Sequence, residues 1–574
     1  MQFINYSAKK LVVTNFCISI GLALIIPIFL DLIEINYRII FISFLGNFLV
    51  IILITVLIVD FFLLVAKKLN YQLLSTLNMI LTLILFILLM YSFLNNIFEI
   101  VYVMNYSNSV LPLIYKIVFI WAGEHGSIMT WMLFNSIIIY FYRINNQNKD
   151  DLVFIRSVLV SLIISIVFLI ILFSLNPFEV DSPPAFINGN PNLDPSLDPI
   201  LMSPFMIWHP FFTFIAYAIF LIPFTITIAE IVTQDSKLLN SYQQNFYDFS
   251  LKIGWLVLTL SIGLGAYWAK IALNWGRYWG WDPVETVSLV PWFFITSFFH
   301  TRIFKKKNPT LIKLNVGLIF ASIVFSTLIT RGGGLNSLHA FTSGVELVIW
   351  VVVLGLLLII LSLYVIYVVL DYLMEEYRNK KLFFDYLSYL FLYGLAFVCI
   401  FGLLIPPFTH FLSEFLPINI IFIGTDYFIM TTLVLAVGLA SSLIFCSLWE
   451  YHDIKWIGIL IIIGIFIQSI FSFIILLLSS IWINPIVIVF IISLIASLFK
   501  LGKNPKFKKG FKYFFRLNSK TIIHAGISCI LMGFLVTSYF QDFVFITGFT
   551  LLLIGIIPSI LIAFFPRREI TKNN

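Results

Sequence analysis

The 574 residues carry a formal net charge of +7, yet only 11% of them are charged and 61% are hydrophobic. Soluble domains contain about 25% charged residues, so this composition excludes a water-soluble protein and makes the lipid bilayer the expected solvent. Apolar runs of roughly 20 residues, each long enough to cross about 30 Å of hydrocarbon as a helix, recur from end to end. The sequence therefore predicts an all-α, polytopic integral membrane bundle with about 16 transmembrane helices.

The predicted spans follow one another along the chain, mostly with short connections. They lie near residues 11–30, 39–66, 77–94, 127–142, 152–174, 210–232, 249–269, 285–303, 313–330, 345–370, 382–404, 427–449, 456–478, 481–499, 521–540 and 543–565. The four cysteines fall inside these spans without forming a CxxC pair, so we interpret them as core residues. No Gly/Ser-rich or Pro-rich linker divides the chain, which favours a single polytopic membrane domain over residues 1–574.

Basic residues predict the orientation of the chain in the membrane. Most of the 34 Lys and Arg residues fall in alternate connections, counted from the N-terminus. Because short basic loops stay on the inner side, the N-terminus is predicted to be inside. The most basic inner connections are 301–313 and 500–520. We interpret their lysines as topology signals beside anionic lipid, and we expect no nucleic-acid partner.

The connections predicted on the outer face are richer in proline, tryptophan and glycine than those predicted on the inner face. Residues 175–209 are rich in proline, which disfavours a helix. Residues 270–285 are rich in tryptophan, and residues 331–344 open with Arg331 and three glycines. Most of the chemically distinctive residues are therefore predicted on one side of the membrane.

The segment WGRYWGWDPVETVSLVPW, residues 275–292, lies between two predicted spans. A single tryptophan there would be ordinary, since tryptophan lines membrane interfaces. Three of them within seven residues, Trp275, Trp279 and Trp281, instead predict a flat aromatic floor for a large planar ligand. Asp282 adds an anionic acceptor at the edge of that floor.

Two of the seven histidines, His209 and His339, are predicted on the same outer face as the tryptophans. A histidine at membrane depth must be neutral, paired or metal-bound. One such histidine would usually be a satisfied polar residue, but two beside an aromatic platform are typical of axial ligands to haem iron. The pattern favours an outer haem site.

His300 and His524 form a second set. His300 ends one predicted span just before a lysine run, and His524 begins another span one helical turn after Lys520. Both are therefore predicted near the inner face at similar depth. Two facing histidines in a membrane bundle form the usual bis-imidazole site of haem b. The sequence leaves open the alternative of two unrelated polar residues near helix ends.

These segments resemble those of the CcmF family of cytochrome c-type biogenesis proteins, the haem lyase components of cytochrome c maturation. WGRYWGWDPVE resembles the tryptophan-rich WWD motif of haem-handling membrane proteins, and TVSLVPW followed by a histidine resembles CcmF in particular. Further signature segments occur in the expected order: WAGEHGS (121–127), SPFMIWHP (203–210), SLHAF (337–341) and IIHAGI (522–527). The resemblance is specific from about residue 115 to 345 and again near residue 524, and elsewhere only the hydropathy agrees.

The resemblance implies a role for each of these residues. His209 and His339 would ligate a transient outer haem, His300 and His524 would hold a transmembrane haem b that acts as reductant, and the tryptophan stretch would contact haem or its chaperone. The implied function is the covalent thioether attachment of haem, received from a haem chaperone, to the CxxCH segment of apocytochrome c, together with other maturation subunits. No catalytic nucleophile is predicted. Arg331 is interpreted equally as a partner of a haem propionate and as a snorkelling arginine.

Two departures from the family pattern limit which of the family's residue roles and partner contacts can be assigned to this chain. The family commonly has His before Glu in the WAG segment, whereas here Glu124 precedes His125, and one helical position turns a side chain by about 100°. We therefore assign His125 no ligand role. Bacterial members also carry a sizeable outer domain before the last helix, where this sequence predicts only a short connection near residues 541–543. Partner docking is accordingly expected elsewhere, for example on a separate protein.

Two other functions are compatible with parts of the pattern. A WWD-type haem exporter or chaperone-loading subunit would bind haem without forming thioethers, and His300 and His524 argue against it. A proton-pumping respiratory-chain subunit needs buried Lys, Glu or His relays inside its helices. Most charges of this chain lie in predicted loops instead.

The abundance of Phe, Ile, Asn and Lys is typical of proteins encoded by AT-rich genomes. This composition predicts an organelle-encoded protein of the mitochondrial inner membrane, with its haem-handling loops in the intermembrane space. The alternative is the bacterial inner membrane, with the same loops facing the periplasm.

Overall fold

The structure is a computed structural model in which the regular elements are helical. It describes residues 14–15, 21, 25–67, 71–144, 146, 151–181, 202–233, 239–272, 277–300, 308–331, 348–375, 380–479, 484–503, 511–536 and 538–564. Within these residues the exception is an isolated antiparallel bridge between Ile100 and Val180. The predicted all-α class is confirmed. Trp275, His339 and the lysine run 301–307 lie outside the described residues.

The chain forms two compact units, residues 1–265 and 266–574. The helices of the first unit are α1 (Ile35–Val65), α2 (Tyr71–Leu94), α3 (Val101–Tyr106), α4 (Leu113–Val118), a 3-10 turn (Phe119–Trp121), α5 (Glu124–Ile144), α6 (Leu152–Leu175), α7 (Pro204–Thr233) and α8 (Ser241–Ala272), whose last residues enter the second unit. In this unit α6 packs against α1 and α7, while α5 packs against α2, α6 and α7. The core of the first unit thus lies around α5, α6 and α7.

The second unit contains the helix that follows the tryptophan segment and the helix that carries His524. Its helices are α9 (Pro283–Phe298), α10 (Pro309–Arg331), α11 (Val348–Glu375), α12 (Lys380–Ser413), α13 (Thr425–Leu448), α14 (Ile454–Ser479), α15 (Val487–Lys503), α16 (Phe511–Gly533) and α17 (Ser538–Phe564). α9 packs against α10 and α12, and α12 also contacts α11 and α13. α16 packs against α15 and α17.

Twelve of the described helices are long and apolar enough to cross a membrane, namely α1, α2, α5 to α8, α10 to α14 and α17. The polytopic membrane architecture is thus confirmed, whereas the predicted count of about 16 spans is not. α9 and α15 have 16 and 17 residues and are shorter than the other spans. α16 contains three basic residues before its apolar half. The first predicted span, 11–30, lies mostly outside the described residues.

Two predicted boundaries near the end of the chain are wrong. α16 begins at Phe511 rather than near residue 521, because the helix starts before the apolar run does. The turn that follows it lies at residues 534–536, and residues 541–543 belong to α17 instead of connecting two spans. Hydropathy therefore located these two helices but not their ends.

Glycines allow α16 and α17 to approach closely. A Cβ atom on Gly526 would lie 2.7 Å from the carbonyl oxygen of Gly548, and one on Gly548 would lie 2.8 Å from the carbonyl oxygen of Gly526. A Cβ atom on Gly555 would likewise lie 3.0 Å from the carbonyl oxygen of Ser519. Small residues that bring helix backbones together are a common basis of helix association in membranes. These two helices therefore form one tightly packed hairpin.

Candidate functional site

The described part of the tryptophan-rich segment, residues 277–281, leads directly into α9. Asp282 is the N-cap of that helix, and its carboxylate accepts the backbone N–H of Val284 at 2.9 Å. Glu285 reaches back in the other direction, and its Oε2 accepts the backbone N–H of Gly280 at 2.9 Å. Both acidic residues are buried. Asp282, the acceptor predicted for a ligand, thus has a partner in the chain, and the two carboxylates together fix the end of the loop.

Trp281 presents an indole that is supported on one face. It stacks on Phe428 of α13, with ring centroids 5.6 Å apart and planes 6° from parallel. Phe428 lies in turn against Gly402 of α12, where a Cβ atom would be 2.6 Å from the phenyl ring. Trp281 has a φ of 57°, a left-handed value that non-glycine residues adopt only where their surroundings hold them. The surrounding contacts therefore determine the orientation of this ring.

Trp279 does not continue the plane of Trp281. The two rings meet edge to face, with centroids 6.2 Å apart and planes at 82°. The predicted flat floor is therefore corrected to one supported indole with a second indole standing against it, because each ring follows its own packing partners. Trp275, the third predicted member, lies outside the described residues.

Tyr278 fastens the beginning of the loop to α17. Its ring is buried and stacks on Phe545, with centroids 4.0 Å apart and planes 11° from parallel. Its hydroxyl donates to Oδ1 of Asp542 at 2.6 Å. Lys270 of α8 forms an ion pair with the same carboxylate, and its Nζ lies 4.5 Å from the ring centroid of Tyr278. Burial and the bond to Asp542 raise the pKa of Tyr278, so its hydroxyl stays a donor.

His209 lies near the start of α7 and is held against α8. Its Nδ1 lies 2.8 Å from the backbone carbonyl oxygen of Ser261. A carbonyl can only accept, so Nδ1 carries the hydrogen and the lone pair is on Nε2. The ring covers Gly265, where a Cβ atom would lie 2.6 Å from Cε1. Metal-binding histidines are usually oriented by such a bond from the other ring nitrogen, so His209 fits an iron ligand that binds through Nε2.

His300 and His524 come together in the second unit. His300 lies just beyond the end of α9, where its backbone N–H donates to the carbonyl oxygen of Ser297 at 2.8 Å. His524 lies on α16, and the two imidazoles and Lys520 are within electrostatic range of one another. Nδ1 of His300 is buried without a hydrogen-bond partner in the part of the chain that the structure describes. Two imidazoles close to each other in a membrane bundle are compatible with a pair of axial haem ligands.

Residues 121–339 match the family model described as Cytochrome C assembly protein. This segment is therefore similar to the cytochrome C assembly proteins. It contains His209, His300 and the tryptophan-rich segment, and it ends at His339. His524 lies outside the matched segment.

Individual relatives agree with the family match. The chain is 30% identical to the cytochrome c-type biogenesis protein CcmF of Haemophilus influenzae over 282 residues, 48% of this chain and 42% of that protein. It is 31% identical to CcmF of Escherichia coli over 262 residues, 45% of this chain and 39% of that protein. The matched region thus spans about two fifths of the length of these relatives.

A solved structure described as Cytochrome c Heme Lyase CcmF has the same fold. Its TM-score to this chain is 0.61 at 18% sequence identity, and the match covers 86% of this chain and 76% of that one. The shared fold therefore also includes helices that lie outside the family segment. The resemblance to the CcmF family predicted from the sequence is confirmed.

Sequence reasoning missed the residues that support the family's signature segments. Gly265 leaves room for His209, Phe428 supports Trp281, and Asp542 holds Tyr278. None of the three belongs to a signature segment. The one available signal was Asp542, an acidic residue near the start of an otherwise apolar run.

Two further residues of the family segment carried weaker predictions. His125, to which no ligand role was assigned, packs against Tyr102 with ring centroids 4.9 Å apart. Arg331 is the last residue of α10. Both of its interpretations, propionate partner and snorkelling arginine, stay predictions.

Proposed function

We propose that this protein is a haem lyase component that promotes covalent attachment of haem to apocytochrome c. The observation that carries this proposal is that the segment of the cytochrome C assembly family contains His209, His300 and the tryptophan loop. The relatives named CcmF support it. A haem chaperone is the proposed donor, the CxxCH segment of apocytochrome c is the acceptor, and other maturation subunits complete the complex in the bilayer.

The proposed reaction adds two cysteine thiols across the two vinyl groups of haem. Each addition forms one C–S bond and transfers the thiol hydrogen to the vinyl group, so no oxidant is consumed once thiols are reduced and iron is ferrous. The reacting groups belong to the two substrates, and the protein is therefore needed chiefly to bind and orient them. No side chain of this chain is proposed as a nucleophile.

At the outer site, His209 and His339 are proposed as ligands of the haem substrate. The bond from Nδ1 of His209 to Ser261 supports this assignment, because it fixes the tautomer and the ring orientation in advance. An imidazole fixed in this way loses less conformational freedom when it binds. Trp279 and Trp281 are proposed to contact haem or its chaperone.

At the inner site, His300 and His524 are proposed to hold a resident haem b. When bound, haem b supplies one-electron transfer, which would keep the substrates reduced. The proximity of the two imidazoles supports the assignment. A haem exporter of the WWD type has no need of such a pair, which favours the lyase over that alternative.

The chain is a multi-pass membrane protein, and we propose that its haem-handling loops face away from the lysine-rich side. The relatives named above are bacterial, which favours the bacterial inner membrane with these loops in the periplasm. The Phe-, Ile-, Asn- and Lys-rich composition favours the mitochondrial inner membrane with the loops in the intermembrane space. Fractionation of the native cells distinguishes the two locations.

The proposed function is tested by depleting the protein from its native cells. Haem-stained c-type cytochromes should disappear while apocytochrome c persists, and restoring the protein should bring them back. A pyridine haemochrome of the purified protein should report haem b. Unchanged levels of holocytochrome c after complete depletion would refute the lyase role.

Replacing Gly265 with alanine should lower cytochrome c production about tenfold or more, because small displacements of a binding group are costly to catalysis. The new Cβ atom would lie 2.6 Å from Cε1 and 2.7 Å from Nδ1 of His209, so the ring must leave Ser261. Helix stability should not fall, since glycine to alanine in a helix usually stabilises it by roughly 0.5–1 kcal/mol. Haem staining of c-type cytochromes and the thermal midpoint of the purified variant are the measurements.

Gly317→Ala is the matched control for this prediction. Gly317 lies in α10, and among the described residues a Cβ atom built there meets no heavy atom within 4 Å beyond its chain neighbours and its own helix backbone. Cytochrome c production should therefore stay normal in this variant. Normal production in Gly265→Ala as well would show that the position of the His209 ring is unimportant.

A further inference from the structure

Three interactions converge where the tryptophan loop begins. The hydroxyl of Tyr278 donates to Asp542, the ammonium group of Lys270 pairs with the same carboxylate, and the ring of Tyr278 lies flat on Phe545. Tyr278 precedes Trp279 directly, so a displacement of the Tyr278 backbone also displaces Trp279. The carboxylate of Asp542 is therefore the common partner of Tyr278 and Lys270.

The helix that supplies Asp542 and Phe545 is a firm support. α17 packs backbone to backbone against α16 through Gly526 and Gly548, where neither helix has room for a Cβ atom. Close packing of this kind resists sliding and rotation. A residue that contacts α17 is therefore held in a defined position.

The other end of the loop is fixed independently. Glu285 accepts the backbone N–H of Gly280, and the ring of Trp281, whose backbone is left-handed, stacks on Phe428. Between these contacts and Tyr278 stands only Trp279, whose indole nitrogen is buried without a hydrogen-bond partner among the described residues. The orientation of the two indoles thus depends on anchors at both ends of a very short segment.

We propose that Asp542 is a positioning residue of the haem-handling loop, which acts through Tyr278 and Lys270 to hold Trp279 and Trp281 in the orientation that haem requires. This inference rests on the proposed function and deepens it. The side chain of Asp542 is 56% exposed, and exposed ion pairs contribute little to folding stability. Its contribution is therefore to orientation, and the rest of the fold does not depend on it.

The test compares Asp542→Ala and Asp542→Asn with Glu414→Gln, a loss of charge at an exposed acidic residue beyond the end of α12. Asp542→Ala should lower haem-stained cytochrome c about tenfold, with a smaller loss for Asp542→Asn, whose amide oxygen still accepts from Tyr278. Tyr278→Phe keeps the stack on Phe545, so its level of haem-stained cytochrome c should lie between those of the wild type and Asp542→Ala. Glu414→Gln should behave as wild type.

A second readout separates positioning from folding. Haem added to the purified protein should give a changed Soret circular dichroism signal in Asp542→Ala, because that signal depends on the orientation of neighbouring aromatic rings. Protein yield and the spectrum of the haem b held by His300 and His524 should be unchanged. Joint loss of yield and of the inner haem b would overturn the proposal, as would a normal cytochrome c level in Asp542→Ala.

Failure of this inference differs from failure of the proposed function. If depletion of the whole protein leaves cytochrome c unchanged, the lyase role itself is wrong. If depletion abolishes cytochrome c but Asp542→Ala retains it, the lyase role stands and the positioning role is rejected.

Discussion

Replacing His524 with alanine is expected to abolish the low-spin b-type spectrum of the purified protein. Six-coordinate low-spin haem iron needs two strong axial ligands, and one imidazole cannot supply both. His300→Ala should have the same effect, because the two imidazoles lie within range of one another. The measurement is the dithionite-reduced visible spectrum of each variant at equal protein concentration, with a pyridine haemochrome for the haem content.

His452→Ala is the matched control, because His452 lies in an exposed turn before α14. The same change in chemistry there should leave the spectrum intact. Free imidazole added to His524→Ala should restore part of the low-spin signal if the loss is that of a ligand. Unchanged spectra in both His300→Ala and His524→Ala would mean that the ligands are wrong.

The proximity of His300 to His524 could be predicted because each histidine lies next to basic residues that set its depth in the membrane. Topology fixes depth along the membrane normal, and two helices with polar residues at equal depth gain by bringing them together. The membrane class was predictable for a related reason. Long apolar runs have few alternatives to crossing the bilayer as helices, since every backbone polar group must be paired there.

Hydropathy could not locate the start of α16 or an ion pair inside the first unit. The basic residues in the first half of α16 lower its hydropathy, yet they do not interrupt backbone hydrogen bonding, so the helix begins at Phe511. Asp60 and Arg143 form a bidentate ion pair in which their side chains are only 3% and 1% exposed. Each is a single charge in or beside an apolar run, and only tertiary packing brings the two together.

The geometry of the tryptophan loop was beyond sequence reasoning for the same reason. A cluster of tryptophans indicates an aromatic surface, but the angle between Trp279 and Trp281 follows from Phe428, which is far away in sequence. Tyr278 and Asp542 are 264 residues apart. Local patterns carry no information about such contacts. The capping role of Asp282 was not predicted either, although its position directly before a proline at the start of a helix is a local signal for it.

His209→Ala is expected to abolish cytochrome c production while leaving the inner haem b in place. The proposed outer ligand is His209, on α7 of the first unit, and the proposed inner ligands His300 and His524 belong to the second unit. A substitution at one of these sites should therefore leave the haem at the other site unchanged. His339→Ala, in a segment outside the described residues, should give the same result. The measurement is haem-stained c-type cytochrome in cells that carry each variant, beside the b-type spectrum of the purified protein.

Trp279→Ala and Trp281→Ala should act in the same direction as His209→Ala but more weakly, because aromatic stacking contributes only about 0.5–1.5 kcal/mol beyond burial. If cytochrome c falls strongly in His209→Ala and less in the tryptophan variants while haem b stays constant, the histidine and the tryptophans act in the same step of haem handling. His452→Ala again serves as the neutral control. Loss of haem b together with cytochrome c in His209→Ala would contradict the assignment of separate sites. Normal holocytochrome c with both His209 and His339 replaced would leave a haem-binding membrane protein whose outer histidines take no part in haem attachment.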